Sequence, residues 1–274
     1  RPALQACHRT RSMAFDLGPD VMFGVFAESR RLPARRINAD PSEIALSTNT
    51  SFGISIAARA LPLSSGEIVL VSDREFPANV YPWMRLKDRG VELELVPVSG
   101  TGWPDEARLL ERIEDPRVRV LAVSLTQFSN GYTVDLARLS EAARRTGTWL
   151  VVDAIQALGQ LPFDVTRTPV DILSCGAQKW LLSPWGSGFM YVRRELISRL
   201  DPAITGWMAF EGTDDFTRLT HYHDTLRDNA RRFEMITLPF QDFAGMNVSL
   251  GLLLSIGNER IGRHLRTLQE TVRE

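Results

Sequence analysis

From residue 43 onward the chain alternates short apolar runs with amphipathic stretches. EIALST, EIVLVS, VELELVPV, VRVLAVSL, TWLVVDA and SGFMYVR read as strands, and DILSCGAQKW opens on a further β-type run. Several are almost continuously apolar, the pattern of strands covered on both faces. Between them lie helical patterns. The clearest is DLARLSEAARRTG, where Asp135 is placed to cap, Leu136, Leu139 and Ala143 share a face, and Gly147 stops the helix. Repeated strand–helix alternation predicts an α/β fold on a mostly parallel sheet.

The ends follow other patterns. Residues 1–36 read as a helical and loop-like segment without strand runs. The last seventeen residues, 258–274, put Ile261, Leu265, Leu268 and Val272 on one helical stripe. Such a stripe needs a partner surface, and more protein is expected to follow it. The expected organisation is therefore an N-terminal helical segment over 1–36, a large domain over 37–257, and a helix over 258–274 leading to a further small domain.

Composition narrows the class. With 32 basic and 33 acidic residues the net charge is -1, which points to neither a nucleic-acid nor a membrane-surface partner. The basic run Arg31 to Arg36 is short and followed by acidic residues, so it reads as solvated surface. Two cysteines, Cys7 and Cys175, are too few for a disulfide framework and fit a reducing, cytoplasmic setting. The longest uncharged stretch, Phe243 to Asn258, falls short of the roughly 18–20 apolar residues a spanning helix needs.

In parallel α/β sheets, ligands bind beyond the carboxyl ends of the strands. TWLVVDA delivers Asp153 there, and DILSCGAQKW brings Lys179 after the next strand. STNTSFGI puts Thr50, Ser51 and Gly53 at a helix start, and SDREFPAN puts Phe76 just past a strand. Taken singly, each has an ordinary reading: surface charge, turn former, N-cap or core aromatic. Together they form a complementary set. A helix N-terminus suits a phosphate, an aromatic ring stacks on a planar heterocycle, a carboxylate pairs with a ring nitrogen, and a lysine amine joins a carbonyl. Pyridoxal 5'-phosphate (PLP) asks for all four. STNTSFG is neither G-x-G-x-x-G nor a Walker loop, which argues against a nucleotide site.

DAIQALGQLPFDV followed by SCGAQKWLLSPWGSGFMYVR resembles the class V aminotransferase superfamily, over roughly residues 40–255. This group of fold-type I PLP enzymes includes cysteine desulfurases, selenocysteine lyases and isopenicillin-epimerase-like proteins. The resemblance implies a three-layer α/β/α large domain and an enzyme acting on an amino acid. It implies that Lys179 is the Schiff-base lysine, Asp153 the pyridine-nitrogen partner, and Gln156 the residue bonding the cofactor's phenolic oxygen. Thr50 and Ser51 stand at the phosphate-binding pair. REFPAN resembles a Glu-His-x-x-Asn segment, with Phe76 in place of the stacking histidine, so stacking stays and acid–base chemistry is lost. Gln178 replaces a histidine and could still donate to the phosphate. In TQFSNG, Gln127 or Asn130 approaches the ring.

RRFEMIT resembles Arg-Phe-Glu-x-x-Thr, in which the threonine reaches the partner subunit's cofactor phosphate. Thr237 would take that role in a homodimer. The stretch NVSLGLLLSIG is then expected to be a buried helix. No metal site is expected. Relatives continue into a small domain carrying the substrate-carboxylate arginine and, in desulfurases, a nucleophilic cysteine; Cys175 does not match that cysteine. The alternative to an active enzyme is a non-catalytic or truncated relative that binds PLP without turnover.

Overall fold

The computed structural model describes residues 2–13, 15, 18–202, 204–235 and 237–273; the Cys7 side chain, Ile236 and Glu274 lie outside the described residues. Two helices, α1 (Pro2–Ser12) and α2 (Pro19–Ile37), precede the sheet. There follow β1 (Ile44–Ser47), α3 (Thr50–Ala60), β2 (Ile68–Ser72), α4 (Tyr81–Met84), β3 (Glu92–Val96), α5 (Glu106–Arg112) and β4 (Val118–Ser124). The chain continues through α6 (Leu136–Thr146), β5 (Trp149–Asp153), β6 (Ile172–Gly176), β7 (Gly188–Val192) and α7 (Arg194–Ile197). It closes with α8 (Phe240–Ile256) and α9 (Asn258–Arg273).

The strands form one sheet in the order β1-β7-β6-β5-β4-β2-β3, with β7 antiparallel to both its neighbours and the remaining pairs parallel. β1 therefore runs the same way as β6, so the carboxyl ends of β1, β2, β4, β5 and β6 lie along one edge. The row Ser124, Asp153, Ser174 is in register across that edge.

Period-two alternation sorts the strand residues onto two buried faces. Leu70, Leu121, Val152 and Leu173 pack with α2, α6 and α8. Val69, Val71, Ala122 and Val151 pack with α3, α4 and α7. That explains the continuous apolar runs, since both faces of the central strands are covered. The α6 limits follow the sequence reading: Asp135 accepts from Arg138 N, and Gly147 adopts the left-handed conformation at φ 71°.

Two expectations need correction. The basic run does not lie wholly in solvent. Arg31 and Arg35 do, but helical periodicity turns Arg36 inward until it is 2% exposed, and burial lowers its guanidinium to about 10. Nor is α8 buried all round. Phe243, Met246, Leu250 and Leu253 enter the core, while Val248 and Leu252 stand more than half exposed. The helix is apolar on every side, so its sequence does not mark which face meets the sheet.

Candidate active site

β5 ends on Asp153, which is 2% exposed and accepts one hydrogen bond from Ile155 N at 3.0 Å. Burial is the main cause pushing its carboxyl up to about 7; the Ile155 N–H opposes this, the nearby Glu75 carboxylate adds to it, and Lys179 works against it.

Lys179 is held on the turn after β6. Its carbonyl accepts from Leu182 N at 2.9 Å, and Ser183 N closes back on Ala177 O at 3.0 Å. Leu182 takes a left-handed φ of 54°, a strained setting for a branched side chain that tightens the turn. The amine lies 5.6 Å from the centroid of the Phe76 ring, and among the described residues it has no carboxylate within salt-bridge distance. Phe76 is 42% exposed and meets Phe128 edge-on at 5.2 Å.

The start of α3 is fastened to β6. Thr50 Oγ1 accepts from Gly176 N at 2.8 Å, and Ser174 Oγ donates to Thr50 O at 2.9 Å. Gly53 makes this approach possible, because a Cβ there would overlap the Ser174 hydroxyl and lie 2.8 Å from Ser174 Cβ. The N-cap is Asn49, which accepts from Phe52 N at 2.9 Å. Thr50 and Ser51 are thus spared capping, and Ser51 stays exposed beside Phe76 in a groove of about 450 Å³.

Gln127 and Gln156 line an open cavity of about 730 Å³ with Phe128, Trp180 and, from α9, Leu265 and Leu268. Asn130 lines the same cavity, and its side chain donates to Gly102 O and accepts from Tyr132 N. Gln178 keeps Oε1 buried against Gly176 and, among the described residues, without a hydrogen-bond partner; any Cβ on Gly176 would come within 2.5 Å of that oxygen. Thr237 lines neither cavity; its hydroxyl accepts from Trp207 Nε1 at 3.2 Å.

The fold thus gathers Lys179, Phe76, Asp153 and Gln127 at one sheet edge, with Thr50 and Ser51 at the adjoining helix N-terminus. Ser124, Ser174 and Glu75 complete the floor and escaped the sequence reading. Serine within a strand carries no signal of its own, and Glu75 was visible only as the second position of the REFPAN motif. The donor set fits PLP. A buried carboxylate with little protein compensation suits a cationic ring nitrogen, and Ser51 leaves a hydroxyl at the first turn of an 11-residue helix.

Fold and candidate site together define an α/β domain that gathers a lysine and a buried aspartate at its strand ends. The aminotransferase class-V family model matches residues 10–274, and the chain belongs to that family. A probable cysteine desulfurase of Methanothermobacter thermautotrophicus is 31% identical over 237 residues, covering 86% of this chain and 58% of that protein. Isopenicillin N epimerase of Streptomyces clavuligerus is 31% identical over 183 residues, covering 66% of this chain and 46% of that protein. The apo structure of a cysteine desulfurase from Thermococcus onnurineus NA1 superposes with a TM-score of 0.81 at 24% identity, covering 92% of this chain and 62% of that one. The chain therefore spans roughly half to three-fifths of the length of these relatives.

Proposed function

We propose that this chain carries the cofactor site of a PLP-dependent transferase or lyase acting on an amino acid. PLP is the cofactor of the family to which the chain belongs. The observation that carries the reading is the juxtaposition of Lys179 with the Phe76 ring beside the buried Asp153.

In this reading Lys179 binds the cofactor through its amine and then, once displaced by substrate, moves a proton at the substrate Cα. Asp153 holds the proton on the ring nitrogen, Phe76 covers one ring face, and Gln156 bonds the phenolic oxygen. Gln127 borders the ring. Thr50, Ser51 and Gln178 take the phosphate. Bound PLP supplies the electron sink that makes a carbanion at Cα accessible. Thr237 would act on the phosphate of a partner subunit, which makes the enzyme a homodimer with shared sites. The division at residues 36 and 257 and a cytoplasmic setting belong to the same reading. Among the described residues no helix is long and apolar enough to cross a membrane.

The test is absorbance of the purified protein reconstituted with PLP. A band between about 320 and 430 nm that vanishes in Lys179→Ala supports a lysine-bound cofactor. No such band in the wild type overturns the reading. Incubation with cysteine and alanine separately then distinguishes sulfide release from keto-acid formation.

A further inference from the structure

Glu75 has an unusual setting for a carboxylate. It follows Arg74, whose left-handed φ of 61° turns the chain after β2 back toward the sheet. The Glu75 side chain is 6% exposed. Its Oε1 accepts from Ser124 N at 2.8 Å and from Gln127 Nε2 at 2.7 Å, while Oε2 accepts from Ser124 Oγ. Three neutral donors satisfy it, and among the described residues no Lys, Arg or His pairs with it. A buried carboxylate held without a cation is a costly arrangement that ordinary folding does not require. Ser124, which it grips, is the in-register neighbour of Asp153, and Leu125 N donates to Asp153 O at 2.9 Å. Glu75 thus ties the end of β2 to the ends of β4 and β5.

The charge count sharpens the point. Asp153 and Glu75 bring two carboxylates to the floor of the site, and Lys179, on the connection after β6, is the amine set against them. Asp73 and Arg74 flank the turn in sequence. Once Lys179 is joined to the cofactor its amine is no longer a free counter-charge, and Asp153 and Glu75 are the two carboxylates left on the side of the ring nitrogen. The hydrogen bond to Glu75 also fixes the Gln127 amide with its nitrogen toward Glu75.

The geometry points to Glu75 as a positioning residue that holds Gln127 in one amide orientation and places a second fixed negative charge behind Asp153, keeping the cofactor's ring nitrogen protonated. This rests on the PLP reading above. Glu75 touches neither ring nor substrate in this role; it acts through Asp153 and Gln127.

The experiment is 15N NMR of ring-labelled PLP bound to the wild type, Glu75→Gln, Glu75→Asp and Ser124→Ala, with PLP affinity measured by absorbance titration. The wild-type nitrogen is expected to be protonated near neutral pH. Glu75→Gln should move its signal toward the neutral form and weaken PLP binding by about tenfold, the equivalent of one pKa unit from a lost nearby charge. Glu75→Asp and Ser124→Ala keep the charge and should keep the protonated signal. An unchanged ring signal in Glu75→Gln overturns the proposal. So does a Glu75→Asp protein whose nitrogen reads as neutral, a result that decides even if Glu75→Gln does not fold. Equal losses in Glu75→Gln and Ser124→Ala reduce Glu75 to a structural tie and overturn it too. A wild type that binds no PLP overturns the PLP reading itself, and this proposal with it.

Discussion

Lys179 Nζ lies 5.6 Å from the centroid of the Phe76 ring, one reached from the turn after β6 and the other from the exit of β2. Neither strand neighbours the other in the sheet, since β5 and β4 lie between them. The pair exists because parallel strands empty their chains at one edge. An aromatic face also favours the charged amine.

Phe76 should therefore be a binding residue without an acid–base role. Phe76→Ala is expected to weaken PLP affinity by about 3- to 10-fold, the range of an aromatic stacking contact. Phe76→Tyr should stay close to wild type. Absorbance titration checks both, and a Phe76→Ala protein with wild-type affinity would remove the ring from the site.

Asp153 should make the cofactor-free protein sensitive to pH. Its carboxyl is raised to about 7 by burial, with Glu75 contributing, so between about pH 4 and 7 the folded state holds a proton that the unfolded state has lost. Stability from this group is full below the unfolded value and falls as pH rises through 7, by on the order of 4 kcal/mol. Asp153→Asn should lose that slope. Thermal melting of both proteins from pH 5 to 8 measures it, and parallel curves would count against a raised Asp153.

Gly53 should tolerate no side chain unless Ser174 shrinks. Gly53→Ala pushes a methyl into Ser174, whose hydroxyl holds Thr50 O, and the first turn of α3 must shift. The expected cost is about 1–3 kcal/mol, as for other overpacked sites, together with weaker phosphate binding. Adding Ser174→Gly should recover most of the stability. Urea melts of the two single variants and the double variant give the coupling.

Arg30 and Glu234 make a bidentate buried pair at 2.9 and 2.7 Å, with Glu234 also accepting from Leu46 N at 2.9 Å. Glu234 is fully buried. Arg30→Leu should cost about 3–5 kcal/mol by stranding that carboxylate. Arg30→Leu with Glu234→Gln should cost clearly less. Chemical denaturation reads both, and an equal loss in the double variant would mean the pair matters only as packing.

The sequence by itself determined the strands, the α6 limits and the position of Lys179 and Asp153 at strand exits. Each rests on local rules: an apolar run long enough for a covered strand, Asp135 and Gly147 at helix ends, and reactive types at strand exits. It also carried the family, because Asp153, Gln156 and Lys179 keep their order and spacing. Tertiary structure decided what local rules leave free. Asn49 rather than Thr50 or Ser51 caps α3, because the Thr50 hydroxyl is engaged with Gly176 N from β6. Arg36 turns inward while Arg31 and Arg35 face water, a consequence of where α2 meets the sheet. The α8 face that enters the core had no polar stripe opposite it to mark the choice. Ser124, Ser174 and Glu75 joined the site only when the parallel register set them beside Asp153. Hydrogen bonds between residues far apart in sequence leave no period to read, so lateral strand pairing, which the chain does not write down, assembled the floor of the site.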